Sequence, residues 1–287
     1  MICQSICVAL LLPVVQSARE GVDARLAAGP TNALARFTDY PSGAAKDRFT
    51  HNPKFWAKDV DFSCVSPWNS ASGRLRAGTL ISKRHVIFAK HYPLAAGTRM
   101  SFVDADGNVC PCRLEKTKPI EKSDIMIGSL NYEVTPDIHP AKILPPDYEK
   151  FIGRGEGLPV VTFNQHEQLF LNELNAIPTN GSPWRTMSAR APANGCWQAF
   201  RSPLIVGDSG DPAFLLIGRE PILLYCLTGG GAGSGPGVHL YRREIQAAMD
   251  ELCPGYKLEE QSLEGLGGLE GSCGEASPAP PLTPELN

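Results

Sequence analysis

The chain has 287 residues and a formal net charge of −3, with 43% hydrophobic and 20% charged residues. This composition supports a buried core and excludes a fully disordered chain, and the balance of charge gives no electrostatic footprint for nucleic acid. The 28 glycines and 25 prolines favour a β-rich, loop-rich fold over a helical bundle. At roughly 100–200 residues per domain, the length allows one or two domains.

An apolar run from Ile6 to Val15 lies near the start of the chain. It is shorter than the about 20 residues of a membrane-spanning helix, so no membrane span is expected. Its position, and the small residues Ser17 and Ala18 that follow, predict a signal peptide over residues 1–18 and hence a secreted or periplasmic protein. Because neither Lys nor Arg precedes the run, an apolar N-terminal strand is the alternative.

Two further segments lack the periodicity of packed elements. Residues 19–57 are punctuated by Pro, Gly and Asn and are predicted to be an N-terminal extension or pro-segment. Residues 254–287 are rich in Gly, Pro and Glu, a composition that buries too little apolar surface to offset its ordering entropy. They are predicted to form a disordered tail. The folded domain is therefore expected over residues 58–253.

Within that domain, short apolar runs alternate with turn sequences, which predicts an all-β sandwich or barrel. A hairpin is expected over residues 78–90, followed by a strand at 100–103 that ends in the turn beginning at Asp104. Further strands are predicted over residues 124–128, 158–163, 213–217 and 222–228. The helix predicted with most support is Tyr241–Leu252, because apolar residues recur there at helical spacing.

The nine cysteines do not predict a metal site. Cys110 and Cys112 are separated by one residue, too few for the usual zinc-ligand pairs, and no second Cys or His pair stands at a useful spacing. We therefore expect neither a metal nor another cofactor. Seven cysteines lie beyond the predicted signal peptide, so at least one is free or pairs with another chain in an oxidising compartment.

The most specific stretch is Val206-Gly-Asp-Ser-Gly-Asp-Pro212. A serine between glycines lies on a tight turn whose backbone N–H groups can receive an oxyanion during acyl transfer. Its hydroxyl is a weak nucleophile until a histidine takes the proton and a carboxylate orients that histidine. His91, at the end of a predicted strand, and Asp124, at the start of another, are the candidates for these two roles beside Ser209.

Three segments in this order resemble the chymotrypsin-like (trypsin-like) serine proteases. Gly78–His91 is similar to that family's stretch ending in Ala-Ala-His, and Asp124-Ile-Met-Ile is similar to its Asp-Ile-Ala-Leu. Gly207-Asp-Ser-Gly-Asp-Pro is similar to its Gly-Asp-Ser-Gly-Gly-Pro. The resemblance spans about residues 60–253. It implies a chymotrypsin-like double β-barrel with a C-terminal helix and an active site in the cleft between the barrels.

The resemblance also implies a function, that of a serine endopeptidase which hydrolyses protein or peptide substrates through an acyl-enzyme intermediate. His91 would act as general base and then general acid, Asp124 would hold its tautomer, and Ser209 would attack the carbonyl. The oxyanion hole would consist of the N–H groups of Gly207 and Ser209. Thr228, where the family usually has Ser, would support Asp124.

The residues that the resemblance implies for substrate binding are Pro203, Thr228, Gly229, Gly230 and Gly237. The backbone of the three central residues would pair with the substrate strand. Pro203 stands where trypsin-type members carry the pocket Asp, so a preference for Lys or Arg is not expected. Gly230 and Gly237 would leave the pocket open to an apolar side chain.

Departures from the family pattern leave a second functional interpretation open. Lys90, Asp211 and Gly229 stand where the family has Ala, Gly and Trp, which motivates the alternative of a protease-like binding module with weak or no turnover. No Ile-Val-Gly-Gly activation sequence precedes the first motif. Pairing of a new N-terminus with Asp208 is therefore not expected, and Asp208 needs an internal partner.

Overall fold

The computed structural model describes residues 13–29, 33–39, 48–67, 76–179, 181–183 and 185–266. The fold is mostly β, with two sheets, one of them curled into a half-barrel, and a C-terminal helix. The prediction of a β-rich, barrel-like architecture is confirmed at that level. The fold is not entirely β, because a second long helix, α1 Pro13–Ala28, lies at the N-terminal side.

The first sheet consists of β1 Thr79–Ser82, β2 His85–Ala89, β3 Arg99–Val103, β4 Val109–Pro119 and β5 Ile125–Leu130. Its strand order is β1-β2-β5-β4-β3, and every pairing is antiparallel. The predicted hairpin is β1 and β2, whose residues are all buried. β4 was not predicted because Pro111 interrupts its first half and charged residues dominate its second half, residues 113–118, although Cys110, Cys112 and Leu114 face the core.

The second sheet consists of β6 Lys142–Ile143, β7 Pro159–Phe163, β8 Leu169–Ala176, β9 Thr186–Arg190, β10 Pro212–Ile217, β11 Glu220–Cys226 and β12 Ser234–Pro236. Its order is β12-β9-β8-β7-β10-β11-β6, antiparallel except between β11 and β6. The neighbours β7, β10 and β11 carry the apolar runs from which strands were predicted. β8 was missed because Asn172 and Glu173 interrupt its apolar run, although both are buried.

Aromatic side chains form part of a core that includes residues of both sheets. The ring of Phe62, which precedes β1, meets the edge of Phe163 at 5.0 Å between centroids and lies 5.7 Å from Phe214. Phe163 and Phe214 belong to the second sheet, and the same core continues to Phe88 of the first. Each such ring pair adds about 0.5–1.5 kcal/mol beyond its burial. One hydrophobic core therefore reaches both of the sheets that carry the candidate site.

Helix α1 crosses the predicted end of the signal peptide at residue 18 without a break. Val14, Val15 and Ala18, which precede that point, are buried with residues of the second sheet. From residue 13 onward, the segment assigned to a signal peptide is therefore part of the packed structure, because its apolar residues recur on one helical face. The rest of residues 1–18 lies outside the described residues.

The described part of residues 19–57, predicted to be an N-terminal extension or pro-segment, packs on the domain. Trp56 is buried in the main core, and its indole Nε1–H donates to the Leu169 carbonyl at 3.0 Å. Phe37 and Phe49 form a smaller cluster with Val103 of β3. The turn-rich composition concealed these contacts, because single aromatic residues between turns give no periodic pattern.

The C-terminal helix is α4 Arg242–Leu252, preceded by a 3₁₀ turn, Val238–Tyr241. The prediction of a helix here is confirmed, and its apolar face packs on the main core. Residues 254–266 follow the domain surface instead of forming a disordered tail: Glu260 forms a parallel bridge with Ile143, and Leu263 is buried. Residues 267–287 lie outside the described residues.

Two short helices, α2 Glu149–Ile152 and α3 Gly195–Gln198, lie in the connections of the second sheet. No helix in the described ranges has the length and apolar character that crossing a membrane would require.

Candidate active site

The ends of β2 and β5 bring His91 and Asp124 together. These strands are antiparallel neighbours, and their register pairs Ala89 with Ile125. The residues just beyond the two ends are therefore adjacent. The Lys90 N–H donates to the Asp124 carbonyl at 3.1 Å and continues the pairing. Main-chain hydrogen bonds of the first sheet thus fix both residues.

Asp124 holds His91 through both carboxylate oxygens. Oδ1 accepts from the His91 backbone N–H at 2.8 Å, and Oδ2 lies 2.6 Å from His91 Nδ1. Because a carboxylate oxygen can only accept, Nδ1 carries the proton and Nε2 is left as an acceptor. That is the tautomer a general base needs. The His91 side chain is 43% exposed and that of Asp124 is 31% exposed, so the pair opens to solvent.

Ser209 lies on a glycine-rich turn directly before β10 of the second sheet. Gly207 and Gly210 have φ of +112° and +95°, a region that favours glycine. This backbone directs the serine hydroxyl toward the first sheet, where Ser209 Oγ lies 2.9 Å from His91 Nε2. The structure therefore brings the three predicted triad residues into one hydrogen-bonded chain, with contributions from both sheets.

The N–H groups of Gly207 and Ser209, the predicted oxyanion hole, are open to a ligand. Neither donates to another group in the part of the chain that the structure describes. The intervening Asp208 N–H is used differently and donates to the Ile205 carbonyl at 3.2 Å. The turn thus leaves free the two N–H groups that acyl transfer requires.

The Asp208 carboxylate is buried beneath this turn, with 3% of the residue exposed. Its Oδ2 accepts from the Ile205 N–H at 2.8 Å, and its Oδ1 accepts from the backbone N–H and the side-chain amide of Gln165, both at 3.2 Å. Gln165 is the internal partner that the sequence required and did not identify. No motif marks it, because it lies on a hairpin turn far from Asp208 along the chain.

A cavity of about 240 Å³ opens beside Ser209. Residues 204–209 form one wall and residues 227–230 form the other. Leu204 and Leu227 contribute apolar side chains to a lining that also contains polar groups. Three predicted substrate-binding residues line it, namely Thr228, Gly229 and Gly230.

The other two predicted substrate-binding residues lie outside this cavity. Pro203 is exposed, just before the segment that lines it. Gly237 is buried: its N–H donates to the Arg185 carbonyl at 2.9 Å, and a Cβ there would meet Met187 Sδ at 3.1 Å. Gly237 lies away from the cavity because the chain near β9 and β12 takes it into the core.

Thr228 does not support Asp124 as predicted. Among the described residues, no hydrogen bond joins the two, and the Thr228 N–H instead donates to the Ser234 carbonyl at 2.8 Å. The Gly229 N–H reaches the same carbonyl at 3.1 Å, and the Gly230 carbonyl accepts within its own loop at 3.3 Å. Among the described residues, the Thr228 carbonyl and the Gly230 N–H have no main-chain hydrogen-bond partner.

Two buried carboxyl groups lie behind the nucleophile turn. Burial, reinforced by the charge of Asp208, raises the pKa of Asp211 well above its usual range. Burial also raises the pKa of Glu167 to about 7, against the opposing effect of Arg36 at 3.4 Å. Burial therefore favours the neutral form of Asp211, which stands where the resembled family has Gly.

The described cysteines offer no disulfide and no metal centre. Those within the described residues are free thiols. No group of three or more potential His, Cys, Asp or Glu ligands occurs among the described residues. Cys3, Cys7 and Cys273 lie outside that part of the chain.

Comparison with known proteins does not identify the chain. No model of a protein family matches the sequence. No curated protein matches it either. The geometry of the site and the residues of its motifs are therefore what point to a function.

Proposed function

We propose that this chain is a serine endopeptidase with a chymotrypsin-like double β-barrel. The observation that carries the proposal is the hydrogen-bonded chain from Asp124 through His91 to Ser209, with distances of 2.6 and 2.9 Å between side-chain atoms. A buried or incidental serine–histidine contact would not need two free N–H groups beside the hydroxyl. Here those groups belong to Gly207 and to Ser209 itself.

In acylation, Ser209 Oγ attacks the carbonyl carbon of the scissile bond while His91 Nε2 takes the hydroxyl proton. As the new C–O bond forms, the carbonyl electrons move to oxygen, where the N–H groups of Gly207 and Ser209 stabilise the negative charge. The intermediate then collapses and the C–N bond breaks. His91 passes its proton to the leaving amine, and Asp124 stabilises the transient imidazolium.

Deacylation repeats the same proton transfers with water. His91 Nε2 takes a proton from a water molecule, whose oxygen attacks the acyl carbon. The same N–H groups stabilise the second oxyanion. Its collapse breaks the ester C–O bond. His91 then returns the proton to Ser209 Oγ and releases the carboxylic acid product. The cycle is balanced without a metal or an organic cofactor.

The cavity beside Ser209 indicates the substrate class. Its walls carry Leu204, Ile205 and Leu227, and the Asp208 carboxylate is engaged by hydrogen bonds beneath the turn. An apolar side chain before the scissile bond would be buried there and would stabilise binding by about 1.5–3 kcal/mol. The substrate is accordingly a polypeptide with an apolar residue at the cleavage position.

Cleavage of a peptide library by the purified full-length chain tests the function. We expect cleavage after apolar residues by the wild-type chain and by the Ser202→Ala variant, whose hydroxyl is outside the triad. We expect none by Ser209→Ala. Cleavage that persists in folded Ser209→Ala would contradict the proposal. A folded wild-type chain that binds peptides without cleaving them would favour the alternative of a binding module.

A further inference from the structure

Gln165 lies on the turn between β7 and β8 and reaches beneath the nucleophile turn of the neighbouring strand β10. Its side-chain Nε2 donates to the Val206 carbonyl at 3.1 Å and to Asp208 Oδ1 at 3.2 Å. Its backbone N–H donates to the same Oδ1 at 3.2 Å. The two protons of the amide are thus both directed at residues that flank Gly207.

This contact orients the Gly207 N–H. In a trans peptide the carbonyl and the following N–H point in opposite directions. Because the Val206 carbonyl is held by Gln165, the Gly207 N–H is turned away from Gln165 and is free of other partners among the described residues. The Val206 side chain is fully exposed and makes no packing contribution that could hold the peptide.

The turn that carries Gln165 is itself firmly held. Asn164 Oδ1 accepts from the N–H groups of His166 and Gln168, both at 3.0 Å. From the N-terminal segment, the Arg36 N–H donates to the Glu167 carbonyl at 2.9 Å, and the two side chains form a buried pair at 3.4 Å. The position of Gln165 is therefore fixed from both sides.

We propose that Gln165 is a positioning residue for the oxyanion hole: its amide fixes the Val206–Gly207 peptide and the Asp208 carboxylate so that the Gly207 N–H faces the developing negative charge. The inference rests on the proposed function. It also assigns the N-terminal segment a supporting role, because Arg36 and Glu167 hold the turn that presents Gln165.

The test compares Gln165→Met with Gln168→Met in the full-length chain. Methionine keeps the shape of glutamine but donates no hydrogen bond. Both residues are half-buried on one turn, and the Gln168 side chain accepts from Asn164 Nδ2 at 3.1 Å, outside the nucleophile turn. Since loss of one oxyanion donor lowers kcat about 10²–10³-fold, we expect Gln165→Met to lower kcat by about 10²-fold with KM within about twofold.

A peptide aldehyde supplies a second readout, because Ser209 adds to it and forms an oxyanion in the same hole. We expect Gln165→Met to weaken aldehyde binding by about the same factor as it lowers kcat. Gln168→Met should bind the aldehyde as the wild-type chain does. If the methionine variant does not fold, Gln165→Asn takes its place: its amide is one methylene shorter, so we expect it to lose the bond to the Val206 carbonyl and to lower kcat and aldehyde binding together.

Equal kcat in the wild-type, Gln165→Met and Gln168→Met chains would overturn the inference and leave the proposed function intact. Equal losses in the two methionine variants would also overturn it, because the effect would then belong to the turn as a whole. Absence of peptide hydrolysis by the folded wild-type chain would overturn the proposed function, and the inference would fall with it.

Discussion

The molecule carries two histidine–aspartate pairs of nearly equal geometry, and they are placed in very different surroundings. His91 Nδ1 lies 2.6 Å from Asp124 Oδ2, and His139 Nδ1 lies 2.7 Å from Asp61 Oδ2. In each pair the histidine backbone N–H is also hydrogen-bonded, for His139 to Ser63 Oγ at 2.9 Å.

What separates the pairs is the partner of the second ring nitrogen. His91 Nε2 faces Ser209 Oγ at 2.9 Å, beside the backbone N–H groups of Gly207 and Ser209 and the cavity that residues 204–209 and 227–230 line. His139 is the more exposed, at 66% of its side chain against 43%. An oriented histidine is thus an ordinary surface feature. The nucleophile turn on the other sheet is what makes one of the two pairs a candidate active site.

The largest expected effect is on kcat, and it distinguishes His91 from His139. Replacement of His91 by Ala should lower kcat on peptides about 10⁶-fold, because the serine then loses its general base. Replacement of His139 by Ala should leave kcat within about threefold, since loss of an exposed ion pair affects only stability, by less than about 1 kcal/mol. Steady-state hydrolysis measures both variants, and comparable losses in the two would contradict the distinction.

Variants of the two aspartates, Asp124 and Asp61, should differ in kcat by a smaller factor. In Asp124→Asn the neutral amide can donate to Nδ1, so the imidazole adopts the wrong tautomer and kcat should fall about 10⁴-fold. The matched variant Asp61→Asn should retain wild-type kcat. The same assay serves, with circular dichroism as a check on folding. Retention of wild-type turnover by Asp124→Asn would remove Asp124 from the proposed mechanism.

The nucleophile turn has the buried Arg36–Glu167 pair behind it, and loss of that pair should affect stability with a defined pH dependence. Arg36→Met should lower the free energy of unfolding by about 3–5 kcal/mol at pH 8, because it leaves the buried Glu167 carboxylate without its partner. The folded-state pKa of Glu167, about 7, exceeds its ordinary value near 4.5. Between these values the folded chain binds the extra proton, so this contribution to stability falls as pH rises.

The cost of Arg36→Met should therefore be smaller at pH 5, where Glu167 is neutral in the folded chain. Urea unfolding at the two pH values measures the difference. Adding Glu167→Gln to the variant should remove most of the pH dependence. A cost that is equal at pH 5 and pH 8 would show that the pair is not the source of the effect.

The smallest effect concerns the cavity beside Ser209. A side chain at Gly230 meets no atom within 4 Å in the free protein and would extend from the cavity wall. Gly230→Leu should leave folding intact and lower kcat/KM for apolar substrates by about 10- to 10²-fold, in keeping with about 1–3 kcal/mol of lost pocket contact. Gly195, which is equally unobstructed, provides the control Gly195→Leu. Equal kcat/KM for the two variants would show that substrate does not use this cavity.

The triad could be predicted from the sequence because each member lies in a short contiguous pattern. His91 ends a hairpin strand, Asp124 begins a strand, and Ser209 lies between glycines. These patterns can be recognised without knowledge of the rest of the fold. The strands with continuous apolar runs could be predicted for the same reason.

The supporting residues could not be predicted, because their roles depend on contacts between distant segments. Gln165 is one polar residue in a turn, and Arg36 is one charge in an irregular segment. The helical form of residues 13–28 was not predicted, because the apolar run before them led residues 1–18 to be interpreted as a signal peptide. The places of Pro203 and Gly237 outside the cavity could not be anticipated, because positions carried over from a resemblance depend on loop lengths, which the motifs do not fix.

A fluorophosphonate probe tests directly whether Ser209 is a nucleophile activated by His91 in the intact chain. Ser209 Oγ should displace fluoride and form a covalent phosphonate, which peptide mapping by mass spectrometry locates. We expect labelling at Ser209 in the wild-type and His139→Ala chains and none in His91→Ala. Absence of label on the folded wild-type chain, or undiminished labelling in His91→Ala, would contradict that expectation.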